Sequence, residues 1–223
     1  MAPSQHAPDP ADGPDDPHAH PHEHSHAHEH PHAHDPGPLA DASVRLARPA
    51  DVPAVALVQS VVLREAYAAV LAPEAVAQLE PGALAAVWRR SLAEPPTPDH
   101  VLLVACAGEQ VVGFAAVGPS SDPDATAETA ELLVLGVHPA ARRQGHGSRL
   151  LNAAVDTVRG RGRTELDAWL LASDDAGRAF LLAAGLQPDG AHRARVVSPD
   201  GRAEREVRLS ARVDDSRQHG ADT

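Results

Sequence analysis

No lysine and no isoleucine occur anywhere in this chain of 223 residues; all 19 of its basic side chains are arginine. The missing lysine excludes the nucleotide-triphosphate loop G-x-x-x-x-G-K-[ST], whose lysine reaches the terminal phosphates. There is one cysteine, Cys106, so no intramolecular disulfide can form, and a reducing cytoplasm is the expected setting. Cys106 lies in the apolar run VLLVACAG and is expected as a small buried hydrophobe. Aromatic residues are few, and Trp88 and Trp169 are expected to line a core or a pocket. No apolar run approaches the ~20 residues a membrane span requires, and the N-terminus lacks the basic and apolar regions of a secretion signal. The expectation is a soluble, cytoplasmic protein with no membrane partner. Positive charge is also scarce: 31 acidic side chains give a formal charge of −12, which argues against a nucleic-acid partner.

Large apolar residues and arginine are nearly absent from residues 1–38, which are rich in proline, aspartate and histidine. Such a segment cannot bury enough surface to offset its ordering entropy, so a disordered tail is expected there. Within it HAHPHEHSHAHEHPHAH places histidine at every second position: His18, His20, His22, His24, His26, His28, His30, His32 and His34. The intervening residues offer no apolar face, so this reads as low complexity and not as a strand. Neutral imidazole is a good ligand for Zn²⁺, Ni²⁺ or Cu²⁺, and overlapping sites without a fixed set predict labile, multivalent binding of such metals.

From residue 39 to 213 the pattern is that of a folded domain, ahead of a ragged polar end at 214–223. SVRLAR alternates as a strand, 49–71 has helical spacing, and 73–94 is a second helical stretch broken near Pro81-Gly82. Three apolar strands follow, the first two joined by a turn at Gly108-Glu109. A helix runs to about Arg159, then come a strand TELDAWLLA, a helix SDDAGRAFLLAAG, and two terminal strands around PDG. The order βααβββαβαββ predicts a mixed α/β sheet flanked by helices.

The stretch VHPAARRQGHGSRLL, residues 137–151, carries the chemistry. A dinucleotide fingerprint fails because Leu150 stands where the third glycine belongs. What remains is R-x-x-G-x-G, Arg142 through Gly147, opening a helix whose Leu150, Leu151, Ala154, Val155 and Val158 form an apolar face closed by Gly160. Free amides and the helix dipole make an anion site, bare glycines let a diphosphate approach, and Arg142 and Arg143 add positive charge.

LGVHPAARRQGHG resembles the acetyl-CoA-binding motif of the GCN5-related N-acetyltransferase superfamily, a strand with L-x-V-x-P followed by [RQ]-x-x-G-x-[GA] and a helix. SDDAGRAFLLAAGLQPDG is similar to the same superfamily's C-terminal motif N-x-x-A-x-x-F-Y-x-x-x-G-F, and the element order agrees over roughly residues 43–210. The resemblance implies that fold, mostly antiparallel, and an acyltransferase moving acetyl from acetyl-CoA to an amine by direct attack in a ternary complex, as a monomer or homodimer. It implies that the pantetheine arm pairs with backbone of Leu135, Gly136 and Val137. Amides of Arg142, Arg143, Gln144, Gly145, His146, Gly147 and Ser148 would hold the pyrophosphate, and the thioester would lie between the strands AELLVLGV and TELDAWLL. Glu131 occupies the position of a glutamate used as base; a rim carboxylate or an anchor for the substrate amine are its other readings. Alternation puts it on the face of Leu133, Leu135 and Val137 unless a bulge intervenes. The Val137 N–H would stabilise the oxyanion.

Two positions depart from the pattern. The expected tyrosine is Leu181, and the expected asparagine is Asp174, which suits a helix N-cap instead. Tyr67, the one tyrosine, is expected to be packing, and His138 and His146 to be exposed or weakly packed. Leu181 keeps open an alternative: a catalytically impaired CoA-binding protein, or a metal buffer using the histidine tail.

Overall fold

The computed structural model describes residues 42–67, 71, 73–197 and 201–214. The histidine tail and the polar end from 215 lie outside the described residues, and the described ones all belong to the unit Pro38–Thr223.

Strand β1 (Ala42–Leu46) is followed by helices α1 (Val52–Tyr67), α2 (Pro73–Ala77) and α3 (Pro81–Ala93). Strands β2 (Val101–Ala107), β3 (Gln110–Pro119) and β4 (Thr129–Val137) lead to α4 (His146–Arg159). The chain then runs through β5 (Glu165–Leu171), α5 (Asp175–Ala183), β6 (Gln187–Val196) and β7 (Ala203–Arg212). The predicted second helical stretch is thus two helices. Pro81 cannot donate within a helix interior, and it starts α3 at a position where no N–H is needed. Gly108, at φ +59°, makes the expected turn between β2 and β3.

The strands form one sheet in the order β1-β2-β3-β4-β5-β7-β6, antiparallel except for the parallel pair β4–β5. On one face α4 and α5 bury Leu150, Leu151, Ala154, Val158 and Leu181 against Leu132, Leu166 and Leu209. On the other, α1 and α3 cover Leu102, Val104, Cys106 and Phe114. Each fully buried leucine contributes roughly 2 kcal/mol, and such residues hold both helices of the first face to the strands between them. Gly160 follows α4 as expected but is right-handed; the left-handed residue is Gly162, at φ +73°.

Two irregularities shape the centre. The β3–β4 register slips between Ala116 and Val117, so Leu133 is an extra residue in β4. β4 and β5 pair only from Thr129↔Glu165 to Leu132↔Ala168. Beyond that point the two parallel strands fork.

Candidate functional site

The fork opens a cleft of about 680 Å³ walled by Leu132–Leu135 of β4, Trp169–Leu171 of β5, the last turns of α1 and the start of α5. His138 N–H donates to the Val112 carbonyl at 2.8 Å, which fixes the ladder between β3 and β4. Bonded and non-bonded pairs alternate from there, so Gly136 faces β3 while the N–H groups of Leu135 and Val137 face the fork. Gly136 answers to the core instead: a Cβ there would come 2.8 Å from Phe114 Cε1.

Past Val137 the chain makes a short 3₁₀ turn, Pro139–Ala141, whose Ala140 N–H is accepted by His138 Nδ1 at 3.3 Å. Arg143, at φ +63°, and Gly145, at φ +81°, then turn it into α4. Gly145 is the N-cap and has no side chain to bond the first-turn amides, so their N–H groups point outward from the positive end of the dipole. Gly147 is different from its neighbour. It has ordinary helical backbone, and a Cβ would make only a 3.5 Å contact with Phe180. Nothing among the described residues requires that bareness.

The cations are arranged otherwise than the sequence suggested. Arg142 is turned away to α1, donating to both oxygens of Glu65 at 2.8 and 2.7 Å and to the Val137 carbonyl at 3.2 Å. That pair holds the Glu65 carboxyl below its usual range, the hydrogen bond from Arg142 being the main cause. Arg143 is exposed, without a partner among the described residues. Arg149, which sequence reading missed, lies over the loop one turn into α4, with Nη1 donating to the Gln144 carbonyl at 3.1 Å. Its position at i+4 from Gly145 was the available signal. The Gln144 amide turns back to the Ala140 carbonyl at 3.1 Å, and Ser148 is exposed at the helix start.

His146 was expected to be exposed or weakly packed and is 3% exposed instead. It shares the i, i+4 row of Leu150 and Ala154, which carries it inward. Burial first, and the Arg149 charge second, lower its pKa and keep it neutral.

At the root of the fork stands Glu131, opposite Gly118 on β3 and Asp167 on β5. The bulge at Leu133 breaks the alternation expected from sequence, so Glu131 faces the α1/α3 side with Val134 and Gly136, away from Leu135 and Val137. It is 7% exposed, which removes the rim reading, and its Oε2 has no hydrogen-bond partner among the described residues. Burial raises its pKa, opposed by Arg193. Asp167, which sequence reading passed over although it interrupts an apolar strand, is 3% exposed, and burial raises its pKa as well. Around this pair Arg208 bonds Asp124 and Asp189 at 2.6 Å, Arg193 bonds Glu206 at 2.6 Å and lies 4.2 Å from the centre of the Trp169 ring, and Trp169 Nε1 donates to Asp122 at 2.7 Å.

Leu181 is buried in the core and also lines the cleft, and Asp174 caps α5 through a 2.8 Å bond from the Gly177 N–H. Tyr67 packs near Leu171 and Val197, as expected of a packing residue, yet it also lines the cleft, and burial raises its pKa. Trp88 and Trp169 both line cavities. Among the described residues no group of three His, Cys, Asp or Glu is placed to hold a metal, and no helix is long and apolar enough to cross a membrane.

The profile of the acetyltransferase (GNAT) family matches residues 68–185. Comparison with curated proteins finds no match. Among solved structures the chain is similar to PaiA N-acetyltransferase of Thermoplasma acidophilum in complex with coenzyme A, at 18% identity, 77% of this chain, 98% of that one and a TM-score of 0.59. It is also similar to YncA, a putative acetyltransferase of Salmonella typhimurium with acetyl-CoA, at 22% identity, 81% and 99% coverage and a TM-score of 0.56. A third is the ribosomal-protein-S18-alanine N-acetyltransferase of Escherichia coli, at 18% identity, 80% and 97% coverage and a TM-score of 0.54. At these identities the likeness establishes the fold.

Proposed function

We propose that this chain, which belongs to the acetyltransferase (GNAT) family, transfers the acetyl group of acetyl-CoA to the nitrogen of an amine by direct attack in a ternary complex. The observation that carries this is the bare, uncapped start of α4 at the mouth of a forked parallel pair. The outward amides of α4 and the charges of Arg143 and Arg149 would hold the diphosphate. The N–H groups of Leu135 and Val137 would pair with the pantetheine arm, leading the thioester to the fork.

The acceptor arrives as an ammonium ion and gives a proton to Glu131, directly or through water. Its nitrogen then forms a bond to the thioester carbon and gives up its second proton to water, the resulting oxyanion collapses, the C–S bond breaks, and the thiolate takes a proton from water. A carboxyl whose pKa is raised by burial suits the first step, because a base is most effective when its pKa approaches the working pH. Glu131 and Val137 cannot serve one carbonyl. They are six residues apart on β4, roughly 20 Å at ~3.3 Å per residue. We therefore assign the oxyanion to the Leu133 N–H, whose residue the bulge leaves outside the ladder. No phenol stands at Leu181, so water returns the proton, as a leaving group of pKa ~8.5 allows.

The first test is calorimetric titration of acetyl-CoA into the full chain and its Gly147→Val variant. Saturable binding to the parent, weakened at least about tenfold by the added isopropyl group at a position where glycine lets the backbone approach closely, is expected. A folded parent that does not bind acetyl-CoA overturns this function.

The second reading, a CoA-binding protein without turnover, is favoured by the buried Leu181 alone; turnover of any amine removes it. For the tail we propose labile binding of Zn²⁺, Ni²⁺ or Cu²⁺ by His18 to His34. Nickel titration should show several weak sites per chain, lost when residues 1–38 are deleted; an unchanged titration overturns it.

A further inference from the structure

A second cavity, of about 320 Å³, lies between α3 and the sheet. It meets the forked cleft at Leu133 and Val134, which line both. The partition between them is tied by Trp88, on the cavity side, donating to Gln59, on the cleft side, at 2.6 Å. From this geometry, and resting on the acetyl-transfer reading above, we propose that the cavity seats the apolar body of the acceptor. The acceptor is then a primary amine bearing one aliphatic or aryl group and no second cation.

Four observations converge on this assignment. Val87, Trp88, Leu92, Val101 and Leu133 supply an apolar wall, and among the described residues no Asp, Glu or Arg lines the cavity. A second ammonium or a polyhydroxylated body entering it would lose its hydration without a partner, at a cost of several kcal/mol. A cavity of this size stands at the small end of ligand sites, enough for a phenyl or branched alkyl group and too small for an oligosaccharide.

Two of the large apolar residues that the fold leaves facing water, Val87 at 59% exposure and Leu133 at 44%, are both on the cavity's wall. Leu133 is the residue that the bulge inserts, so the irregularity that breaks the β3–β4 ladder also builds the junction between the two spaces. An apolar side chain held in water at such a junction gains from a ligand that covers it.

The polar end of the cavity is at His100, beside the strand position that pairs with Glu131. His100 lines it, and its Nδ1 accepts the Thr97 N–H at 3.2 Å, which leaves the ring proton on Nε2. That edge lies over Gly118, where a Cβ would come 2.9 Å from Nε2. Gly118 is the register partner of Glu131, and directly opposed residues share a face. An acceptor with its body against Trp88 and Leu92 would therefore present its nitrogen where β4 carries both Glu131 and the bulge.

The test compares 2-phenylethylamine with 1,4-diaminobutane as acceptors for the full chain, following release of the CoA thiol, with acetyl-CoA titrated by calorimetry in parallel. The expected result is a kcat/KM at least about tenfold higher for 2-phenylethylamine, in line with what one well-filled apolar pocket discriminates. Ser91→Phe, which fills the cavity from α3, should abolish that preference by raising KM for 2-phenylethylamine while the acetyl-CoA titration is unchanged. Val87→Asn, at a position 59% exposed, should raise the same KM by a smaller factor. Equal or better use of 1,4-diaminobutane overturns the assignment, as does a KM indifferent to both substitutions. If acetyl-CoA binds and neither amine is acetylated, the acceptor assignment falls and the cofactor reading stands; if acetyl-CoA does not bind, both fall.

Discussion

The two ends of strand β4 treat charge in opposite ways. At its C-terminal end, from Val137 to Gly147, cations lie at the surface and backbone N–H groups face outward. At its N-terminal end Glu131 and its neighbour Asp167 are carboxyls driven into the sheet, each with an oxygen that finds no hydrogen bond among the described residues. The first end suits a permanent anion, which needs donors and solvent-exposed counter-charge. The second suits a group that must gain and lose a proton, because burial is what lifts a carboxyl toward neutrality. One strand joins them, and β4 parts from β5 one residue beyond Glu131, after the pair Leu132↔Ala168.

Neutralising the buried end should have the largest effect. Glu131→Gln is expected to lower kcat on the order of 100-fold, with acetyl-CoA affinity unchanged. The wild-type rate should climb as pH rises through the elevated Glu131 pKa, and the variant should lose that limb. Unchanged turnover would remove Glu131 from the chemistry. Stability should move oppositely. A carboxyl whose folded pKa lies above its ordinary value of 4.5 binds more protons folded than unfolded, so its penalty appears as pH rises above that value. Glu131→Gln should then be more stable than the parent at neutral pH, the difference shrinking as pH falls toward 4.5. Equal denaturation midpoints at pH 5 and 8 would contradict the buried charge.

Glycine offers a sharper contrast along the same strand and loop. Gly136→Ala forces a Cβ against Phe114 and should cost about 1–3 kcal/mol of stability by urea unfolding. Gly147→Ala meets only ordinary contacts, so it should cost no stability while weakening acetyl-CoA. If both destabilise alike, Gly147 serves the fold and not a ligand. The smallest effect concerns the open end. Glu65 and Arg142 are both well exposed, so Glu65→Ala should change stability by less than about 1 kcal/mol. It frees the Arg142 guanidinium, and acetyl-CoA should bind more tightly at low salt; weaker binding would mean the pair holds the loop in shape.

The glycine turn into α4 was legible because its signals are local. A strand, Pro139, Arg142 and two glycines before an apolar i, i+4 row act within a dozen residues, and they give the helix start wherever the rest of the chain goes. Gly108 and Asp174 were readable for the same reason. His146 could have been read correctly, since it shares the row of Leu150. The Glu65 partner of Arg142 was not legible, because it lies 77 residues away and nothing local announces it. The parity of Glu131 failed at one inserted residue, and a bulge is set by pairing with another strand.

The sequence by itself determined the kinds of element, their order, and the bare glycine turn at the start of α4, because propensity, capping and dihedral limits act between near neighbours. The tertiary structure alone decided the fork between β4 and β5, the burial of Glu131 beside Asp167, and the junction of two cavities at Leu133. Each of these arises where distant segments meet. Strand register, desolvation and enclosed volume are properties of packing, and no stretch of chain possesses them alone.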